Sequence, residues 1–384
     1  MKRVNLGMSG GVDSSVSAHL LQKQGFEVNG VSFELCGDTR SLLSNASSSA
    51  ERMGISWQSV NLKEQFRSIV ISNFVQSYAC GHTPNPCVQC NKEIKFRYLD
   101  FDCDYIATGH YAKVEYDDAK ARYILRKADD LAKDQSYFLY GLSQDTLSKV
   151  IFPLGSYSKP EIRQIADELG LPNAKAKDSQ DVCFIPDGDY ASFIKDFLSD
   201  AGSVSDTRQA GDTGRAGDTG NAGTTGRAGD TGDAENAGAT VTPSDIEKVG
   251  NFEDMDGNIL GQHKGIIHYT IGQRKGLGLS LKKPMYVYAL DLERNAVILG
   301  DNEDLYRSEL EACDFNWISI DKPAEPLRCR ARIRYRHREA PCVVETRGDR
   351  VVIKFDQPQR AITSGQSVVL YDDDIVIGGG IICG

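Results

Sequence analysis

The sequence predicts an α/β chain: a helix-covered parallel sheet at the N-terminal end and an all-β part at the C-terminal end. Three observations predict it. Within residues 1–80, short apolar runs alternate with helical patterns, the order that builds a parallel sheet with helices on both faces. A glycine turn at residues 7–11 joins the first run to the first helical pattern as strand, turn and helix. From Met285 onward only short alternating runs remain, separated by turn residues as in a small barrel.

Composition bounds what these parts can do. With 384 residues the chain has room for two or three domains. A hydrophobic content of 40% and a charged content of 26% suit a soluble globular protein. No stretch approaches a membrane span, and the N-terminus lacks the apolar core of a signal peptide. We therefore expect a cytoplasmic protein with no membrane partner. Its ten cysteines are then expected reduced, so each is a candidate for chemistry rather than a cross-link. Most would still pack as small hydrophobes. The formal net charge of −10 argues against nucleic acid until its location is considered. Residues 200–257 hold twelve Asp and Glu against four Lys and Arg, so the remainder carries only −2. A local basic face fits that remainder.

The first element carries the clearest chemistry. Val4 and Leu6 alternate as a strand, and Val16, Leu20 and Leu21 mark a helix. Between them run Gly7, Met8, Ser9, Gly10, Gly11, Val12, Asp13, Ser14 and Ser15. Glycines there allow a tight approach of the backbone to a ligand. Serine hydroxyls and the free amides of the helix start converge on one point, a site for an anion. No Gly-Lys-Ser/Thr follows, so this is not a Walker A loop. A plain glycine turn is the bland alternative, which the full Ser-Gly-Gly-Val-Asp-Ser-Ser run disfavours. Residues 28–33 and 55–60 read as the second and third strands. Ligands gather at the carboxyl ends of such strands. Phe33 stands at one of those ends, as a nucleotide neighbour or a core aromatic.

Residues 81–91 read as a loop, because Pro84 and Pro86 exclude a regular element across it. It holds Asn85, Pro86, Cys87 and Cys90, ahead of a helical pattern over 92–100. A thiol at that helix start would have its pKa lowered by the dipole. Half a zinc site is the alternative, but the chain shows no second pair at zinc spacing. Residues 104–111 are another strand running into a glycine turn, with Gly109 and His110 at its end. Lys133, Asp134, Gln135 and Ser136 precede Tyr137 and Phe138, and Asp134 reads as a helix cap. Residues 158–169 are an amphipathic helix, with Ser158 as cap, Pro160 and Glu161 in its first turn and Gly170 at its end. Residues 178–185 place Cys183 where a polar run turns apolar, as an accessible thiol or a core residue.

Residues 211–233 repeat a hexapeptide of the type Ala-Gly-Asp-Thr-Gly-Arg. No large apolar residue lies between Gln209 and Thr240, so this stretch reads as a disordered, solvated linker. Residues 263–278 mix glycines and cations with a short β-like run. It is a small phosphate-touching module or a turn-rich hairpin. In the β part the runs are 286–291, 296–300, 329–335, 343–346, 351–355 and 367–371. Arg328, Arg330, Arg332, Arg334, Arg336 and Arg338 alternate with other residues, and a period of two would set all six on one strand face. Such a stripe suits a phosphate backbone.

Taken in order, these motifs resemble the tRNA-specific 2-thiouridylase family of the PP-loop ATP pyrophosphatase superfamily. The carriers are residues 7–15, 83–86 with 90–92, 107–111, 133–136, 178–185, 269–278, 331–336 and Gly365-Gln366. The resemblance implies a PP-loop (adenine nucleotide alpha hydrolase-like) domain at 1–202, a linker at 203–243, a small central domain at 244–283 and a C-terminal β-barrel at 284–384. It implies ATP-dependent 2-thiolation of the wobble uridine of tRNA. Gly7, Met8, Ser9, Gly10, Gly11, Val12, Asp13, Ser14, Phe33 and Gly109 would hold ATP with Mg2+. Asn85, Pro86 and Cys87 would face the target base. His110, Lys133, Asp134, Gln135, Arg334, Tyr335 and Gln366 would contact tRNA. Cys183 would carry a persulfide from a sulfur-donor protein, and Cys90 would be the nucleophile that forms a transient disulfide with it. The family often has Asp where this chain has Cys87. An iron–sulfur cluster on Cys87, Cys90 and Cys183 is the alternative to the persulfide route, which the resemblance favours. Two further readings stay open: a PP-loop amidating or ligating enzyme on a small molecule, and a non-catalytic ATP- or tRNA-binding module.

Overall fold

A computed structural model describes residues 1–171, 182–208 and 246–383. The repeat at 211–233 and the polar run at 178–181 lie outside the described residues.

Strands β1 (Arg3–Gly7), β2 (Glu27–Glu34), β3 (Ser56–Asn61) and β4 (Tyr105–Thr108) are followed by a hairpin, β5 (Ala112–Asp117) and β6 (Arg122–Lys127), and by the short β7 (Val150–Ile151). Five of them form one sheet in the order β3-β2-β1-β4-β7, every pairing parallel. The chain steps from β1 outward to β2 and β3, then returns to place β4 on the other side of β1. The order in which strands are added therefore reverses between β1 and β4, and in such sheets the crevice at that point binds ligands. Helix Val12–Lys23 packs on the sheet through Ala18 and Leu21, both fully buried, and turns the buried Val16 toward Ile162 and Ala166. Helix Lys159–Glu168 begins with a capping box between Ser158 and Glu161, as its sequence predicts.

The central part is a four-stranded sheet. It comprises β8 (Gly250–Glu253), β9 (Ile259–His263), β10 (Tyr286–Asp291) and β11 (Ala296–Gly300), ordered β10-β11-β8-β9. The runs at 286–291 and 296–300 thus pair within this sheet rather than in the C-terminal barrel. Phe252, Val287, Val297 and Leu299 close its own small core.

The barrel is built from β12 (Tyr306–Trp317), β13 (Leu327–Arg332), β14 (Ala340–Arg347), β15 (Arg350–Arg360), β16 (Ser367–Asp372) and β17 (Ile375–Ile382). It closes because β12 pairs with both β15 and β17. The β5–β6 hairpin of the N-terminal part extends the same sheet by pairing β6 with β17. Strand β13 ends at Arg332, and residues 333–338 turn away. The six arginines therefore do not share a strand face. Arg328 pairs with Asp356 and Arg330 with Glu339, so even the strand portion of the stripe is neutralised by neighbours.

Candidate active site

The turn after β1 is stitched from within. The Ser14 hydroxyl donates to the Gly11 carbonyl at 3.1 Å and lies 3.3 Å from the Ser9 amide, which donates to it. The Met8 amide donates to the Val31 carbonyl at 2.8 Å, and the Ser32 hydroxyl donates to the Met8 carbonyl at 2.6 Å, tying the turn to β2. Gly10 adopts φ +77, and a Cβ there would lie 2.3 Å from the Leu42 carbonyl oxygen. Only glycine fits both demands. The result is a cradle of backbone amides and hydroxyls at the N-terminus of a twelve-residue helix, suited to phosphate oxygens.

Across the crevice, a Cβ on Gly109 would lie 3.0 Å from the Ser14 amide nitrogen, so β4 closes directly onto the turn. Asp13 faces inward from the turn. It accepts from the Lys159 ammonium at 2.7 and 2.8 Å and from the Tyr111 hydroxyl at 2.8 Å. This brings a buried cation to the cradle from the first turn of another helix. His110 is held by Thr108 at 2.7 Å and lies between Phe96 and Phe152. Burial, and then the charge of Lys95, push its pKa down to about 3, so its ring is neutral at physiological pH. Phe33, partly buried at the end of β2, packs between two apolar clusters.

The cysteines gather at the same end of the sheet. Residues 86–99 are helical throughout: Pro86–Cys90, a π-turn at Asn91–Lys95, then Phe96–Leu99. The helix thus begins at Pro86, a residue tolerated in a first turn because it lacks only an amide the helix does not use. This overturns the expectation for Cys90. The thiol sits inside the helix, 5% exposed, and burial raises its pKa to about 11. Cys87 is raised too, chiefly by burial. Cys183 goes the other way, down to about 7, because the Cys36 thiol hydrogen-bonds to it and Lys95 is near; the Cys36 thiol is raised in exchange. The Lys95 ammonium is partly buried, and Cys90, Cys87 and Cys183 hold its pKa up against desolvation. Cys87, Cys90 and Cys183 are thus brought within one another's field, around one lysine, and all ten cysteines are free.

Three of these neighbours escaped the sequence reading. Lys95 follows Cys90 by five positions, which an α-helix would turn away. The π-turn, whose bonds run from i to i+5, swings it back. Cys36 follows β2 as one polar-to-apolar position among many. Lys159 had the one readable signal, a cation at the start of a capped helix. Among the described residues, no three His, Cys, Asp or Glu side chains are set to hold a metal ion.

The remaining positions lie where the barrel meets the sheet. Asp134 is buried and accepts from the Ser136 amide and hydroxyl, the Ala128 amide and Arg332. Gln135 exchanges hydrogen bonds with the Tyr111 backbone. Lys133 is half-buried beside them. Tyr335 packs against Phe138, ring centroids 4.5 Å apart and the rings tilted at 42°. Arg334 donates to the Ala361 carbonyl and to the Thr363 hydroxyl, and Gln366 reaches the segment before Asn85.

Known proteins share this arrangement from end to end. The tRNA methyl transferase HUP domain matches residues 2–187, the tRNA methyl transferase PRC-barrel domain residues 243–301 and the aminomethyltransferase beta-barrel domain residues 307–382. The tRNA-specific 2-thiouridylase MnmA 2 of Caldanaerobacter subterraneus subsp. tengcongensis is 44% identical over 399 residues, covering 99% of this chain and 97% of that protein. The chain belongs to the tRNA-specific 2-thiouridylase family. The thiouridylase MnmA of Acetivibrio thermocellus is 43% identical, covering 99% of each chain. That of Clostridioides difficile is 42% identical, covering 99% of this chain and 98% of the other. The domain descriptions speak of methyl transfer, but proteins matched over the whole length are thiouridylases, and whole-length likeness decides. The three matched domains follow the order of the three sheets described above.

Proposed function

We propose that the protein is an ATP-dependent tRNA-uridine 2-sulfurtransferase acting on the wobble uridine in the cytoplasm. The N-terminal sheet domain carries the chemistry, and the central sheet of β8–β11 and the barrel of β12–β17 serve tRNA. The observation that carries this reading is the meeting of two chemistries at one sheet end: a phosphate cradle at 7–14 and a cluster of thiols around Lys95. An amidating enzyme for small molecules has no use for the second, and a mere binding module has no use for a thiol ionised near neutrality.

The cradle binds the ATP phosphates, with Lys159 and the helix start supplying positive charge. Uridine O2 attacks the α-phosphate, and pyrophosphate leaves. The adenylated base then has AMP as leaving group at C2. A persulfide on Cys183, loaded by a sulfur-donor protein, attacks C2 with its outer sulfur and expels AMP. Cys90 attacks the inner sulfur, forms a disulfide with Cys183 and leaves the outer sulfur on the base. A thiol reductant then restores both cysteines with two electrons. The base leaves its stack to reach Asn85–Cys87. Magnesium would come with the ATP phosphates, and Asp13 is engaged by Lys159 and Tyr111.

The test is incubation with ATP, magnesium, a persulfide source and tRNA, followed by nucleoside mass analysis. The expected product is 2-thiouridine. Cys183→Ser should make none while still releasing pyrophosphate and transferring AMP to tRNA, because adenylation does not use that thiol. A Cys183→Ser protein that thiolates at the native rate, or a wild-type protein that uses sulfide alone and carries iron, would refute this route.

A further inference from the structure

The segment proposed to present the uridine is held by the barrel, not by its own domain. The Thr83 amide donates to the Ser364 carbonyl at 2.9 Å. The Gln366 side-chain amide donates to the Thr83 carbonyl at 2.9 Å and to the Pro84 carbonyl at 3.4 Å. The Asn85 amide reaches the Ser367 hydroxyl at 3.5 Å, and the same hydroxyl meets the Tyr140 hydroxyl at 3.1 Å. Gly365 adopts φ +88, and a Cβ there would lie 2.9 Å from the Thr83 nitrogen and 3.0 Å from its oxygen. The turn thus approaches the segment as closely as backbones allow. At its other end, Arg334 donates to the Thr363 hydroxyl at 2.9 Å and also to the Ala361 carbonyl.

Two prolines explain why such a hold is needed. Pro84 and Pro86 give up two amides and keep the segment out of a regular element until the helix starts. The carbonyls of residues 83 and 84 need donors from elsewhere, and Gln366 is the side chain that supplies them. We propose that Gln366 is a positioning residue for the reaction, holding residues 83–87 from the barrel in the conformation that presents the uridine. The inference rests on the thiolation reading above. It assigns Gln366 an effect on turnover rather than on tRNA affinity. A loop misplaced by about 1 Å costs on the order of a hundredfold in rate without loss of binding.

The experiment uses the full chain and Gln366→Met, which keeps the length and removes both donated bonds. The first readout is amide hydrogen exchange over residues 80–90 without tRNA. Loss of the hold should speed exchange of the Thr83 amide by about tenfold, the factor that roughly one hydrogen bond represents. Gly365→Ala, which pushes the turn away, should do the same, and Gln366→Lys, which keeps a donor, should restore part of the protection. The second readout is steady-state thiolation. Here kcat should fall at least about tenfold while KM for tRNA changes less than about twofold. A raised KM with unchanged kcat and unchanged exchange would make Gln366 a direct tRNA contact and overturn the proposal. Unchanged exchange in both Gln366→Met and Gly365→Ala would overturn it as well. If the wild type thiolates nothing, the functional reading falls, and exchange alone still decides whether Gln366 holds the segment.

Discussion

The Cys183 thiol is pulled down to about 7 while burial pushes the Cys90 thiol up to about 11, and the difference follows from what each sulfur touches. Cys183 has a hydrogen-bonding thiol and an ammonium beside it; Cys90 is wrapped in helix and core. A sulfur that must accept and carry a persulfide is the one that should be nucleophilic first. Alkylation of Cys183, followed by peptide mass analysis, should therefore rise through a midpoint near pH 7. Cys90 should label only well above pH 9. Since Lys95 lowers the Cys183 pKa, Lys95→Met should move the Cys183 midpoint to higher pH. A midpoint that stays put would remove Lys95 from the site's electrostatics. The same reasoning applies to Lys159 at the cradle. Its side chain is 8% exposed and its partner Asp13 33%, so the pair is only partly screened. Lys159→Met leaves the carboxylate without its cation. It should cost on the order of 1–3 kcal/mol of stability, less than a fully buried pair would, and weaken ATP use more than tRNA binding. Thermal melting and the KM for ATP read the two effects, and an unchanged KM would place Lys159 outside the phosphate site.

At the scale of elements, what could be read from sequence followed local pattern. The cradle, the capped helix from Lys159 and the alternation of β14–β16 are each written in neighbouring residues. What escaped depends on approach from elsewhere. Strand β17 contains Gly378, Gly379 and Gly380, and no alternating run in the sequence marks it. They are glycine because a Cβ at each would strike Asn316, Tyr140 or Phe315 within 2.7 Å. The helical start at Pro86 was hidden by two prolines that look like loop residues but suit a first turn. The arginine stripe failed because period two says nothing about where a strand ends or what its neighbours carry. That failure makes a prediction. Arg336 and Arg338 are exposed beyond the strand end, and Arg328 and Arg330 lie on the strand in ion pairs with Asp356 and Glu339. Replacing Arg336 and Arg338 by Ala should flatten the salt dependence of tRNA binding by roughly one unit per lost phosphate contact. Replacing Arg328 and Arg330 should leave the slope within error. Equal slopes for both double variants would move the tRNA surface away from the 333–338 turn.

At the scale of the whole molecule, the catalytic sheet and the barrel share one core. Val31, Phe96, Leu125, Tyr137 and Tyr140 from the first pack with Ile318, Val369, Tyr371 and Val376 from the second. Hydrogen bonds cross the same boundary: the Asn316 amide donates to the carbonyls of Tyr140 and Leu142 at 2.7 and 2.9 Å. Two domains joined through a dry core unfold together, because neither can expose its half without cost to the other. Gly379 lies on that boundary. A Cβ there would sit 2.6 Å from the Tyr140 ring and 2.9 Å from the Val368 carbonyl oxygen, and neither can yield easily inside a packed core. Gly379→Ala should therefore destabilise by about 1–3 kcal/mol, through overpacking. The melting curve should keep a single transition, shifted down by several degrees. The displaced ring is also the one whose hydroxyl meets Ser367, the group that Asn85 reaches. Thiolation turnover should then fall at temperatures where the variant is fully folded, because the group that Asn85 reaches is displaced. Two separate transitions, with the lower one at the wild-type temperature, would show that the domains fold independently and that the shared core does not couple them.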